Sequence, residues 1–137
     1  MADQNAVPEP VEKTVSPNAV LKLDLSFRGV AKYIAYQCTP GPSGDWVVAK
    51  TLEANGSSED ARLDTFEFNG PGDGERCNVW VVANMTSPNP QGDVELRAAI
   101  LLRDTNSELV SQVVKGKLTM GGFLPLTSRI ILTGRKA

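Results

Sequence analysis

The 137-residue chain carries a formal charge of -2, with 41% hydrophobic and 22% charged residues, a composition that suits one globular domain and not a disordered chain. Its apolar runs fall far short of the about 20 residues that a membrane-spanning helix needs. Lys and Arg are scattered, so neither a polybasic membrane anchor nor the basic patch of a nucleic-acid binder is expected.

The opening residues Met1-Ala2-Asp3-Gln4-Asn5 have neither a basic start nor an apolar run, so no signal peptide is expected in this stretch. Residues 1–17 hold Pro8, Pro10 and Pro17 among polar residues without apolar periodicity. They read as an arm, either flexible or held against a partner, ahead of a domain over residues 18–137.

From residue 20 the pattern has period two. Leu21, Leu23, Leu25 and Phe27 alternate with Lys22, Asp24 and Ser26, the signature of a half-buried strand. Arg28-Gly29 marks a turn or bulge, after which Val30, Ile34, Tyr36 and Cys38 are expected to share a face. The cluster Thr39 to Asp45 is a loop by composition. A further strand is expected from Trp46 to Leu52, ended by Asn55-Gly56-Ser57-Ser58, and another from Arg62 to Phe68, ended by Asn69 to Gly74. Val79 to Met85 is a nearly continuous apolar run, as expected for a central strand covered on both faces.

Ser87 to Asp93 interrupts that run. Val94, Leu96, Ala98, Ile100 and Leu102 then alternate cleanly with polar residues, and Arg103 to Glu108 reads as a hairpin loop into Leu109 to Val114. A kink is expected at Gly116, a turn at Gly121-Gly122, and a last strand with Leu124, Leu126, Ile130 and Leu132. No window has helical periodicity. The fold class is therefore all-β: an antiparallel β-sandwich of seven or eight strands, of immunoglobulin-like or jelly-roll topology.

The chemistry is defined by elimination. With no histidine in the chain, Ser-His-Asp and Cys-His activation are absent, as is every histidine-ligated metal site. Carboxylates remain, at Glu59, Asp60, Asp64, Asp73 and Glu75, and a glycosidase would need two of them at a set separation. Acidic residues in Gly-rich loops are more often simply solvated, so no catalytic residue and no cofactor are expected. Asp73, Glu75, Glu59 and Asp60 are the candidate calcium ligands, yet they lack the regular spacing of a calcium loop.

Cys38 and Cys77 are the two cysteines. Either they form a disulfide, which a loop of this length would make worth roughly 3 to 4 kcal/mol, or they are two buried thiols. With Trp46 between them, their Cys-Trp-Cys order is similar to that of immunoglobulin domains. The likeness is one of architecture alone. A Pro/Gly loop separates Cys38 from Trp46, and Glu75 stands where a tyrosine would be expected. Aromatic residues make up 6% of the chain; Trp80 reads as core, and Trp46 and Tyr33 are the candidate ligand contacts.

These features point to a non-enzymatic structural or assembly module that engages protein partners or copies of itself as a homo-oligomer or larger assembly. A virion coat, decoration or tail component, or an extracellular surface module, is the expected setting. The alternative is a carbohydrate-binding module using loops 39–45, 53–60 and 69–76, with Trp46 and Tyr33 exposed beside them.

Overall fold

Period-two alternation becomes strand along most of the chain. The computed structural model describes residues 8–60, 62–86, 92–118 and 122–136. Residues 87–91 of the break expected over Ser87 to Asp93, and Gly121 of the turn expected at Gly121-Gly122, lie outside these residues. Among these residues there are nine strands, against the seven or eight expected: β1 (Val11–Val15), β2 (Val20–Arg28), β3 (Val30–Pro40), β4 (Trp46–Ser58), β5 (Leu63–Asn69), β6 (Arg76–Thr86), β7 (Asp93–Leu102), β8 (Glu108–Lys117) and β9 (Leu124–Gly134).

They build two sheets, ordered β1-β9-β6-β3-β4 and β5-β2-β7-β8. Leu21, Leu23, Leu25, Leu96 and Ile100 of the smaller sheet join Val79, Val81, Met85, Ile130 and Leu132 of the larger in one core. This is the expected all-β, two-sheet arrangement. Burial of these alternate side chains, at about 25 cal/mol per Å² of apolar surface, is what holds the layers together.

Gly29 is the corner where the chain leaves one sheet for the other. Arg28 still pairs with Glu95 of β7, whereas Val30 already pairs with Thr86 of β6. Its φ of +105° is glycine territory, and a Cβ there would lie 2.8 Å from the Thr86 carbonyl oxygen. The hairpin between β7 and β8 forms where expected, closed by Leu102 N–H donating to Ser107 O at 2.9 Å, with Asn106 at φ 56°.

Three features differ from the sequence reading. First, Val11–Val15, within the stretch read as an arm, is a strand paired with β9. The pairing is parallel, whereas the other described pairs are antiparallel. Its apolar content is small, with Glu12, Lys13 and Thr14 exposed, so no periodicity announces it.

Second, Asn55-Gly56-Ser57-Ser58 does not end its strand. β4 runs through it, with register shifts against β3 that absorb the extra residues as bulges. Gly56 is required there because the Tyr33 ring lies over it, and a Cβ would fall 2.3 Å from the ring. Third, β3 turns Ala31, Tyr33 and Ala35 inward, opposite to the face expected from Val30, Ile34 and Tyr36. Both alternating sets of β3 are partly apolar, and periodicity alone does not choose between them.

Candidate functional site

Each sheet has one face in the core and one turned away from it, and the two outer faces differ sharply. On the four-stranded sheet the outer face is ionic. Glu95 and Asp93 of β7 oppose Lys115 and Lys117 of β8, each pair at 3.8 Å. Thr65 Oγ1 donates to Asp24 Oδ1 at 2.8 Å, Arg103 lies 3.6 Å from Glu67, and Arg97 pairs with Glu108. Such exposed pairs keep a face soluble while adding little stability.

The outer face of the five-stranded sheet is apolar and aromatic in the middle of β3 and β6, with Lys32, Asn84, Thr127 and Arg129 around that patch. Register places Ile34 beside Val82, Tyr36 beside Trp80, and Cys38 beside Asn78, which in turn neighbours Ile131 of β9. Ile34, Tyr36, Trp80 and Val82 are half-buried. Cys38 and Ile131 are buried at 2% and 7% exposure, although neither belongs to the core between the sheets. At the corner of this face the Arg76 guanidinium lies 5.6 Å from the Trp46 ring centre and 3.5 Å from Glu12. Asn78 Nδ2 and Oδ1 and Trp80 Nε1 are buried and find no partner among the described residues.

Trp80 was expected in the core and instead faces outward. The run from Val79 to Ala83 offers an apolar residue at every position, so alternation within it is invisible until register is known. The strand is central in its sheet, as expected, with β9 on one side and β3 on the other. Within the described residues, however, its outward face meets no further layer of the chain.

Tyr33, expected to be the exposed ring, is 4% exposed. It sits in the core between Phe27 and Phe66, with ring centres at 5.3 and 6.3 Å. Its hydroxyl donates to Asp64 Oδ2 at 2.6 Å, at the base of an open cleft of about 520 Å³ between β4 and β5 that also holds Glu53, Asn55 and Arg62. Burial, then the hydrogen bond to Asp64, pushes the phenol well above its usual range. Tyr33 therefore stays protonated and serves as a donor that anchors the seam.

The three loops expected to form one ligand site divide between the two ends of the sandwich. Loops 39–45 and 69–76 meet at one end, around an open pocket of about 640 Å³ lined by Asn18, Gln37, Thr39, Glu75 and Arg76. Residues 53–58 lie in β4 toward the other end, where Ser58 pairs with Ala31. Trp46 is half-buried beside the first end, paired with Pro40.

The acidic candidates divide in the same way. Asp60 accepts from Gly29 N–H beyond the end of β2, and Glu75 accepts from Gly72 N–H at 3.0 Å within its own turn. Gly70, next to that turn, bonds to Ala19 at the start of β2. The length of β2, about 26 Å at 3.3 Å per residue, separates the two groups. Glu59 and Asp60 therefore cannot share an ion with Asp73 and Glu75. Among the described residues no three His, Cys, Asp or Glu side chains converge as a metal site.

Cys38 and Cys77 are both free and buried, so the candidate disulfide does not form. They lie on neighbouring strands of one sheet, not across the two sheets as in immunoglobulin domains. Cys38 pairs with Asn78 and shares its outer side, while Cys77, one residue earlier, points into the core. Alternation sends the thiols to opposite faces, and a bond would require the backbone to move. Burial pushes the Cys77 thiol up to about 11, opposed by a hydrogen bond from Gln37, and burial also raises Cys38.

Compared with protein-family models, with curated proteins and with solved structures, the chain has no significant match in any of the three.

Proposed function

We propose that this protein is a non-enzymatic assembly module that packs the outer face of its five-stranded sheet against a protein surface, in the first instance that of further copies. The observation that carries this reading is the row of apolar side chains that β3, β6 and β9 direct away from the core. With strands about 4.8 Å apart and same-face residues about 6.6 Å apart, the four half-buried members Ile34, Tyr36, Trp80 and Val82 make a compact patch on the order of 130 Å². The outer face of the smaller sheet supports the same reading by contrast, since its middle strands β2 and β7 set Lys22, Asp24, Glu95 and Arg97 where β3 and β6 set Ile34, Tyr36, Trp80 and Val82.

Light scattering across a concentration series tests it. The expected result is concentration-dependent association that Tyr36→Glu with Val82→Glu abolishes, and that Lys22→Glu with Lys115→Glu on the opposite face leaves intact. A monomer at every concentration, or association indifferent to the Tyr36 and Val82 changes, would overturn the reading.

A second reading, carbohydrate binding, is favoured by one observation: Trp46 stands half-buried beside the pocket between loops 39–45 and 69–76. Tyr33 takes no part in it, being buried elsewhere. Binding on a glycan array that Trp46→Ala removes is the result expected from this reading, and an array with no binding ends it.

A further inference from the structure

At the lateral seam between β8 and β9 the sandwich carries a polar groove fitted to an extended chain. Gln112 is 7% exposed, and its Oε1 accepts from Ser128 Oγ and from Arg129 N–H, both at 2.8 Å. Those two bonds fix the amide orientation and aim Nε2 at the Glu9 carbonyl, to which it donates at 2.8 Å. Arg129 Nη2 donates to the Pro8 carbonyl, also at 2.8 Å. Beyond these contacts β1 pairs with β9 from Val11 and Ile130 to Val15 and Gly134, and Arg135 N–H donates to Val15 O at 2.7 Å.

The groove thus reads main-chain carbonyls and chain direction, with little side-chain content. Val15 is buried and Val11 partly so, whereas the three residues between them are exposed. The segment joins the domain through a short turn containing Pro17 and Asn18, the latter at φ 60°. Two main-chain bonds tie that turn: Ala19 N–H to Ser16 O at 3.3 Å and Asn18 N–H to Pro71 O at 2.9 Å.

We propose that this groove is a strand receptor that accepts residues 8–15 of a second copy in place of the chain's own, linking copies by exchanged arms. A second copy carries the same carbonyls and satisfies each of these bonds equally well. The cost of exchange is then confined to the turn and to the entropy of association. A filled groove gives Gln112 Nε2 and Arg129 Nη2 their carbonyl partners, which an empty groove leaves to water. The tether holds the chain's own arm at an effective concentration on the order of millimolar, so exchange grows as the protein is concentrated. The groove is an edge of the larger sheet, and the inference stands apart from the use of its outer face.

Thr14 and Thr133 are register partners in the β1–β9 pair and provide the test. A full-length Thr14→Cys chain is mixed with a full-length, size-tagged Thr133→Cys chain and treated with a short thiol cross-linker. Cys38 and Cys77, 2% and 1% exposed, do not compete. The expected product is a tagged–untagged heterodimer that rises with concentration and exceeds by about tenfold the yield from Thr14→Cys mixed with Val113→Cys, an exposed position that does not pair with β1. A chain carrying both Thr14→Cys and Thr133→Cys should cross-link within itself when dilute. Heterodimer no greater than the control, alongside that internal cross-link, overturns the exchange; failure of the internal cross-link overturns the groove as the seat of β1.

Discussion

The outer faces of the two sheets are made by the same alternation and end in opposite chemistry. In β7 every residue opposite a core side chain is charged or small until Leu101: Asp93, Glu95, Arg97 and Ala99. In β6 the residues opposite the core include Trp80 and Val82. A strand that meets water on one side needs polar residues there, whereas a strand covered on both sides does not. The lesson is that the middle of β3 and β6 is written as though covered, while the outer positions of β7 are written for solvent.

The sharpest way to break this comparison is to substitute adjacent residues that point to opposite sides of β9. Ile130 lies in the inter-sheet core with no exposure, and Ile131 lies outside it. Ile130→Ala is expected to cost about 2–5 kcal/mol in denaturant unfolding, and Ile131→Ala no more than about 2. Equal costs would mean that the outer face is packed as tightly as the core and has no need of a partner.

A smaller effect should come from the inward thiol. Cys77 ionises near its ordinary value of 9.0 in the unfolded chain and only at about 11 when folded. Above pH 9 the unfolded state therefore binds fewer protons, and stability falls as pH rises through the folded value. The loss should approach about 2 kcal/mol at pH 11, read from unfolding midpoints between pH 8 and 11. Cys77→Ala should flatten part of that slope, and an unchanged slope would show that Cys77 is not proton-linked to folding. Least affected should be the ionic face. Glu95→Gln removes the pair with Lys115, and the expected change stays below about 0.5 kcal/mol and shrinks further in salt. A larger loss would show that this face is more than a solvated surface.

Much of the fold is legible in the chain itself. The alternation of β2, β7 and β9 names the core residues correctly, and the Pro/Gly cluster at 39–45 and the polar cluster at 103–108 place the β3–β4 and β7–β8 connections. The candidate site was less legible, for reasons that particular residues make plain. Tyr33 lies on a strand with two partly apolar faces, so its burial depends on the Gly56 opposite it and on Asp64 from another sheet. Trp80 lies in a run where either face would satisfy a hydrophobic pattern. β1 is held by carbonyls and a distant glutamine amide, and main-chain bonding leaves no mark in side-chain sequence.

By itself the sequence determined the strand period, the absence of histidine chemistry and the polar character of one outer face, because these follow from local alternation and residue type. Tertiary structure alone decided which side of β3 and β6 faces in, the parting of Cys38 from Cys77, the separation of the acidic pairs to opposite ends, and the seat of β1. Each of these depends on the register between strands far apart in sequence, where a shift of one residue exchanges the two faces of a sheet.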